Sequence, residues 1–327
     1  MEAKARARAN IALVKYWGKA DSRLKIPAVG SISITLDKLW TETTVRFDSG
    51  LDTDTLELDG VPRPDRLTRV SATLDLLREL AGTSARARVV SRNNFPTGAG
   101  LASSASGFAA LVGAGAAALG LTLSPTELSR LARRGSGSAA RSIFGGFVEM
   151  HAGKAPDGSD SFAEPILAAS EWPLEVVVAI AARGEKDVGS GEGMARSETS
   201  SPYYPAWVAS HPDDLAAARK AIAARDFDAL ADVAERSCLK MHAAAMAASP
   251  PLLYWKGVTV EALHAVRALR REGVPVFFTI DAGPQLKAVC LPEARERVAA
   301  ELGAVPGVLD VLTTGLGPGL EVETGGR

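Results

Sequence analysis

Over residues 86–91 charged and apolar side chains alternate, which is the period of a half-buried strand. Pro96 and the small residues Gly98, Ala99 and Gly100 then break regular structure. From Ser104 onward Ala105, Phe108, Ala109 and Leu111 recur at helical spacing, so residues 91–111 read as strand end, Gly/Ser turn and helix. Upstream, residues 10–15 predict a first strand, 31–36 and 41–47 two strands paired with each other, and 56–58 a short strand before a turn at Asp59-Gly60. Leu67, Val70, Leu74, Leu77 and Leu80 share one face of a helix over 64–81. Ser124-Pro125-Thr126-Glu127 is a capping box with proline at the first helical position; that helix ends at Arg133-Arg134-Gly135. A second Gly/Ser turn covers 135–142, a strand follows to Met150, and 152–161 is a polar loop.

The second half starts with a strand over 175–181. Helices follow at 213–224, 227–248 and 258–272, then strands at 276–280 and 286–291, a helix at 293–302 and a strand at 308–313. With the middle helices grouped the order is β-α-β-β-α-β, the split or ferredoxin-like pattern. A domain change is expected around 165–174, giving units 1–170 and 171–327 of an α+β protein.

Composition narrows the classes. The chain has 327 residues, 46% apolar and 23% charged, enough for a substantial core, and its formal net charge of −1 argues against nucleic acid as the main partner. Two distant cysteines, Cys238 and Cys290, are neither a disulfide framework nor a zinc motif and suit a reducing, cytoplasmic setting. His151, His211, His242 and His264 form no metal-ligand spacing. The basic N-terminus carries too short an apolar run for a secretory signal. Residues 97–126 lack charges, but their Ala/Gly/Ser content reads as a buried core helix rather than a membrane span.

Candidate chemistry lies in the turns. A helix that begins among small residues presents free backbone N–H groups and a positive dipole end, and Ser103, Ser104 and Ser106 add hydroxyls, so this turn suits phosphate. It is neither a Walker loop, since no Gly-Lys-Ser/Thr follows, nor the dinucleotide fingerprint, whose glycine spacing differs. Arg141, within the second small-residue turn, offers a two-pronged donor for a carboxylate or phosphate. Lys15 and Lys19, near the end of the first strand, can meet phosphate oxygens as point charges. Asp281 ends an apolar strand before Ala-Gly-Pro; there it is either a turn starter or a carboxylate placed to orient a substrate hydroxyl or take its proton.

Four stretches in this order, ANIALVKYWGKAD, NNFPTGAGLASSASGFAAL, ARRGSGSAARSIFGGFVEM and FTIDAGP, make the chain similar to the mevalonate diphosphate decarboxylases of the GHMP superfamily of small-molecule kinases, over about residues 9–320. The resemblance implies a two-domain GHMP-kinase-like α+β fold with a ferredoxin-like C-terminal domain and an active site in the interdomain cleft. It implies ATP- and Mg²⁺-dependent decarboxylation of (R)-5-diphosphomevalonate, with no nucleic-acid or membrane partner and a cytoplasmic homodimer. By the same resemblance Asp281, Lys15 and Arg141 are catalytic. Tyr16, Trp17, Gly18, Lys19, Arg66, Ser136, Gly137, Ser138, Ala139, Ala140, Arg141 and Met194 contact substrate. Asn94, Gly98, Gly100, Leu101, Ala102, Ser103, Ser104 and Ser106 bind ATP, with Ser104 offered to a Mg²⁺ held mainly by ATP phosphates. Two departures stand out: Pro27-Ala28-Val29-Gly30 before Ser31, and Gly191 where relatives often carry a Thr or Arg that reaches the diphosphate. A decarboxylase of 5-phosphomevalonate and a kinase without decarboxylation therefore remain as alternatives.

Overall fold

The computed structural model describes residues 1–95, 103–184 and 186–324. Its first sheet grows from β1 (Glu2–Val14), in which Ala3, Ala5 and Ala7 point inward and Lys4, Arg6 and Arg8 alternate with them. The strand is thus longer than the expected 10–15, because alanine has weak strand propensity and the alternation alone carries the signal. A small hairpin, β2 (Lys19–Asp21) and β3 (Ile26–Pro27), follows, and then β4 (Ser31–Asp48). The two strands expected at 31–36 and 41–47 are one strand, and they do not pair with each other. Both halves pair with β1, and the exposed Asp37-Lys38 dipeptide is absorbed at a register shift opposite Arg8 and Asn10.

Next come β5 (Thr55–Leu58), β6 (Val61–Pro62), helix α1 (Pro64–Ala81) and β7 (Arg86–Asn93). Helix α2 (Ser103–Ala118) and helix α3 (Pro125–Gly135) follow, the latter opened by the expected Ser124/Glu127 capping box. The second Gly/Ser turn is not an open loop but a 3-10 helix, Gly137–Ile143, leading to β8 (Phe147–Met150) and β9 (Ala163–Leu167). Helix α2 is buried against this sheet, so the helical part of the uncharged stretch is core. No described helix is long and apolar enough to cross a membrane.

The second sheet begins at β10 (Glu175–Ile180), followed by α4 (Ser190–Ser200), α5 (Tyr204–Ala224), α6 (Phe227–Met246) and α7 (Gly257–Arg271). Then come β11 (Val276–Ile280), β12 (Leu286–Cys290), α8 (Arg295–Ala304) and β13 (Asp310–Gly315). Its order, β11-β12-β10-β13, all antiparallel, is the split β-α-β arrangement expected. Helix α4 escapes the pattern because its Ser-Gly-Glu-Gly start reads as loop, and α5 starts before Pro212, which sits inside it. The last strand, β14 (Glu321–Thr324), returns to the first sheet beside β1.

Strand alternation builds the layers. Val177 and Ala179 of β10 pack under α7 and α8, while Val176, Val178 and Ile180 share a core with Ile11, Leu13, Ile32 and Ile34 of the first sheet. The other face of the first sheet, with Ala5, Ala7, Val45 and Phe47, packs on α1 and α2. The first sheet is buried on both faces where it meets the second and on one face elsewhere, and either suffices to fix the register, and hence where each strand ends. The ends of β1 and β11 meet in this shared layer.

Candidate active site

Lys15 is the first residue beyond β1 and Asp281 the first beyond β11. Lys15 Nζ donates to Asp281 Oδ1 at 2.7 Å and to the Ala12 carbonyl at 2.9 Å; the Thr279 hydroxyl donates to the same carbonyl at 3.0 Å. The other carboxylate oxygen, Oδ2, lies 3.3 Å from Lys287 Nζ of β12. Burial alone would raise the Asp281 pKa, but the two ammoniums outweigh it and hold the carboxyl well below the usual carboxylate range. Asp281 is therefore ionised. Its turn is closed by the Gly283 N–H donating to its own carbonyl, so it is both the turn residue and a carboxylate open to a cavity.

That cavity, about 650 Å³, lies between the two sheets' ends. Its wall carries Lys15, Lys19, Lys25, Arg66, Arg69, Arg141 and Lys186, against the single described carboxylate of Asp281. Arg141 comes from the 3-10 helix and is almost wholly buried. Its partners are neutral: Nε donates to Ser33 Oγ (3.0 Å), one terminal nitrogen to Ser31 Oγ (2.7 Å) and the other to Asn10 Oδ1 (3.1 Å). Among the described residues no carboxylate lies within ion-pair distance of it. A buried guanidinium without a counter-ion awaits an anion. Burial lowers its pKa to about 10, which leaves it charged.

Lys19, Lys25 and Arg69 face one another at the far end. The Lys25 ammonium and an Arg69 nitrogen both donate to the Gly135 carbonyl. Burial, then the Arg69 and Lys19 charges, lower the Lys25 pKa to about 8, and Lys186 falls to about 8 mainly through burial. A neutral lysine does not attract phosphate. We therefore expect kcat/KM for a phosphorylated substrate to fall as pH rises through 8–9, and Lys25→Arg to carry that alkaline limb upward. A limb that stays in place in a pH–kcat/KM profile of the variant would assign it to other groups.

Most residues singled out from the sequence converge here. Lys15, Tyr16, Trp17, Lys19, Arg66, Ser136, Gly137, Ser138, Arg141, Met194 and Asp281 line the cavity, as do Ser103 and Ser104 at the start of α2. Gly18, at φ +99°, lies behind the wall; a β-carbon there would overlap the Tyr204 hydroxyl. Ala139 and Ala140 are fully buried within the 3-10 helix. Ser106 turns away: its hydroxyl pairs with Thr41 Oγ1 at 2.7 Å between α2 and β4. Asn94 bonds the Trp40 N–H and the Lys38 carbonyl, tying a strand edge, and lines neither cavity described here. Gly98, Gly100, Leu101 and Ala102 lie outside the described residues.

A second cavity of about 310 Å³ shares Arg66, Arg69, Ser103 and Ser104 with the first and is walled by Leu56, Leu58, Val70, Val89 and Phe108. The start of α2 thus faces two connected spaces, one cationic and one largely apolar.

Residues 7–163 match the model of the diphosphomevalonate decarboxylase-like N-terminal domain, and residues 176–306 that of the mevalonate 5-diphosphate decarboxylase C-terminal domain. Diphosphomevalonate decarboxylase mvd1 of Aspergillus fumigatus is 40% identical over 318 residues, covering 91% of this chain and 79% of that protein. The chain belongs to the diphosphomevalonate decarboxylase family. Solved structures agree in three dimensions. Mevalonate diphosphate decarboxylase from Staphylococcus aureus superposes with TM-score 0.93 at 37% identity, over 99% of this chain and 98% of that one. MDDEF in complex with MVAPP, AMPPCP and magnesium superposes with TM-score 0.92 at 41% identity, over 99% of both chains. Family membership carries the expected GHMP-kinase-like α+β fold with it.

Several residues around the site are not evident in the sequence. Asn10, Ser31 and Ser33, which hold Arg141, sit in strands whose apolar pattern masks them. Lys25 and Arg69 lie in polar stretches with no motif. Lys287 carries the one usable signal, a charged residue in the middle of an otherwise apolar strand, L-K-A-V-C.

Proposed function

We infer that this protein catalyses the ATP- and Mg²⁺-dependent decarboxylation of (R)-5-diphosphomevalonate to isopentenyl diphosphate, CO₂, ADP and phosphate, in the mevalonate route of isoprenoid biosynthesis. The observation that carries the reading is the presence of an ionised Asp281 and a buried Arg141, with no carboxylate partner among the described residues, on one cationic cavity.

The residues fit the two groups that the reaction requires. The apolar second cavity suits a nucleoside, and its junction with the first, at Ser103, Ser104, Arg66 and Arg69, suits a polyphosphate at a helix start. Among the described residues no cluster of three acidic, histidine or cysteine side chains offers a metal cage, so Mg²⁺ would rest mainly on phosphates with Ser104 as a hydroxyl ligand. ATP supplies the phosphoryl group that makes the 3-oxygen a leaving group, and Mg²⁺ offsets phosphate charge. Asp281 accepts the hydrogen bond of the 3-hydroxyl, aims its oxygen and takes its proton as the O–P bond forms; Lys15 keeps that carboxylate charged until then. Arg141 holds the substrate carboxylate through parallel N–H donors. As the C3–O bond breaks, the electron pair of the C–CO₂ bond forms the new double bond and CO₂ leaves. Tyr16, Lys19, Ser136 and Ser138 take the diphosphate end, with Lys25 and Arg69 beside them.

Units 1–170 and 171–327, with the last strand returning to the first sheet, belong to the same reading, as does a cytoplasmic homodimer; the two buried free cysteines suit a reducing compartment. A second reading has one supporting observation: a β-carbon at Gly191 would lie 3.8 Å from Lys19 Nζ, so a side chain is missing beside a cation of the 5-end, which favours a monophosphate. An endpoint assay with ATP and Mg²⁺ on mevalonate, its 5-phosphate and its 5-diphosphate, scoring ADP and CO₂ separately, decides. Equal ADP and CO₂ from the diphosphate alone is expected. The same stoichiometry from the monophosphate moves the assignment, and ADP without CO₂ overturns decarboxylation.

A further inference from the structure

We propose that Lys287 is a positioning residue for the reaction: with Lys15 it divides the two oxygens of Asp281 and holds that carboxylate ionised and oriented while an anionic substrate is bound. The inference rests on the role given to Asp281 above.

Lys287 lies in the middle of β12, opposite Thr279 of β11 and Val178 of β10, and is 1% exposed. A lysine is almost never fully buried without a reason, and desolvating an ammonium is unfavourable by several kcal/mol. Asp281 already has Lys15 at 2.7 Å; Lys287 lies at 3.3 Å, its pKa lowered first by burial against the raising effect of the Asp281 carboxylate, and as an ammonium it gives these three side chains one excess positive charge. Arg141 adds to that excess from the same cavity.

The excess has a use once substrate is present. The substrate brings a carboxylate and phosphates to the cavity, and each would raise the Asp281 pKa and tend to protonate it. A protonated Asp281 can no longer accept the hydroxyl hydrogen bond through both oxygens. Lys287 offsets that effect from behind. It does not line the cavity, whereas Lys15 and Asp281 do, so it acts through Asp281 rather than on the substrate. The geometry also fixes rotation: Oδ1 is turned to β1 through Lys15 and Oδ2 to β12 through Lys287, so the carboxylate plane is tied to both sheets. The other titratable or charged groups facing Asp281 are Arg141 from the 3-10 helix, Lys186 from the segment before α4, and Cys238 and His242 from α6. Burial raises the Cys238 pKa and lowers that of His242 to about 3, so both stay neutral near neutral pH.

The test is Lys287→Met in the full-length protein, with Lys287→Gln as a second variant and kcat measured against pH. The sign follows from the charge removed. With one ammonium gone the Asp281 pKa rises, so the acid limb of kcat moves to higher pH, by about one unit or more. At neutral pH kcat falls roughly tenfold with KM nearly unchanged, the mark of an interaction made mainly in the transition state. Adding Lys287→Met to Asp281→Asn produces no further loss of kcat, because the lysine then has nothing to position. A uniform loss at all pH values with the limb in place, an additive loss in the double variant, or failure of both single variants to fold would each make Lys287 a structural residue and overturn the proposal. If Asp281→Asn itself kept near-normal turnover, the functional reading would fall instead, which separates the two failures.

Discussion

Asp281→Asn should lower kcat by about 10³-fold, a loss at the scale of removing one acid–base or charge-orienting group. Asparagine keeps the shape and the turn, since the Gly283 N–H bonds the backbone carbonyl at position 281 and not its side chain. What it removes is the charge that faces the substrate hydroxyl. The same change leaves Lys15 and Lys287 as buried ammoniums without their shared counter-ion. Breaking a buried pair from one side is typically unfavourable by about 3–5 kcal/mol, less where a lysine can shed its proton. The variant should thus show a lower thermal midpoint yet remain folded at 25 °C, with nucleotide affinity close to normal because the second cavity contains none of these groups. Single-turnover kinetics, nucleotide titration and thermal melting on one preparation check all three. Turnover within a few fold of the parent would remove Asp281 from the mechanism.

Why Asp281 stands out in the sequence and the residues around Arg141 do not follows from what each signal measures. Asp281 ends the apolar run Val276–Ile280, and a carboxylate just past a buried strand is conspicuous to any reading based on period and turn chemistry. The same reading finds the capped α3, the amphipathic α1 and the split β-α-β order, because local propensity and long-range packing agree there. It divides β4 in two, since Asp37-Lys38 has the chemistry of a turn and only pairing of both halves with β1 keeps the strand continuous. It starts β1 late, because alternate alanines look like neither strand nor core until a helix face covers them. The partners of Arg141 pose the same difficulty. Asn10, Ser31 and Ser33 lie 131, 110 and 108 residues away from it, and nothing local in their strands marks them as donor-holding groups. A cluster assembled across that separation is a property of register, not of motif. Lys25 and Arg69 are placed in the same way, by the hairpin β2–β3 and helix α1 reaching the Gly135 carbonyl.

Arg141→Met should have the opposite stability signature and a comparable functional effect. In the free protein Arg141 is a buried cation held by neutral oxygens of Asn10, Ser31 and Ser33 and by the Tyr16 ring 5.9 Å away, with no carboxylate in ion-pair reach among the described residues. Methionine removes a desolvated charge, a gain of several kcal/mol, against one acceptor, Asn10 Oδ1, left without its donor at about 1–3 kcal/mol, since the Ser31 and Ser33 hydroxyls can rotate to other partners. The thermal midpoint should therefore hold or rise, in contrast to its fall in Asp281→Asn. The loss appears on binding: removing one partner of a desolvated charge pair weakens association by about 2–5 kcal/mol, or roughly 30-fold to several thousand-fold. That loss should fall on the carboxylated substrate, while nucleotide affinity changes by less than tenfold, because the guanidinium faces Asn10, Ser31 and Ser33 and does not line the second cavity. Titrating substrate and nucleotide separately against the variant tests the assignment directly. Equal losses for both ligands would place Arg141 on the phosphates they share. A selective loss together with an undiminished melting temperature would identify it as a site built at the expense of apo stability to receive one carboxylate.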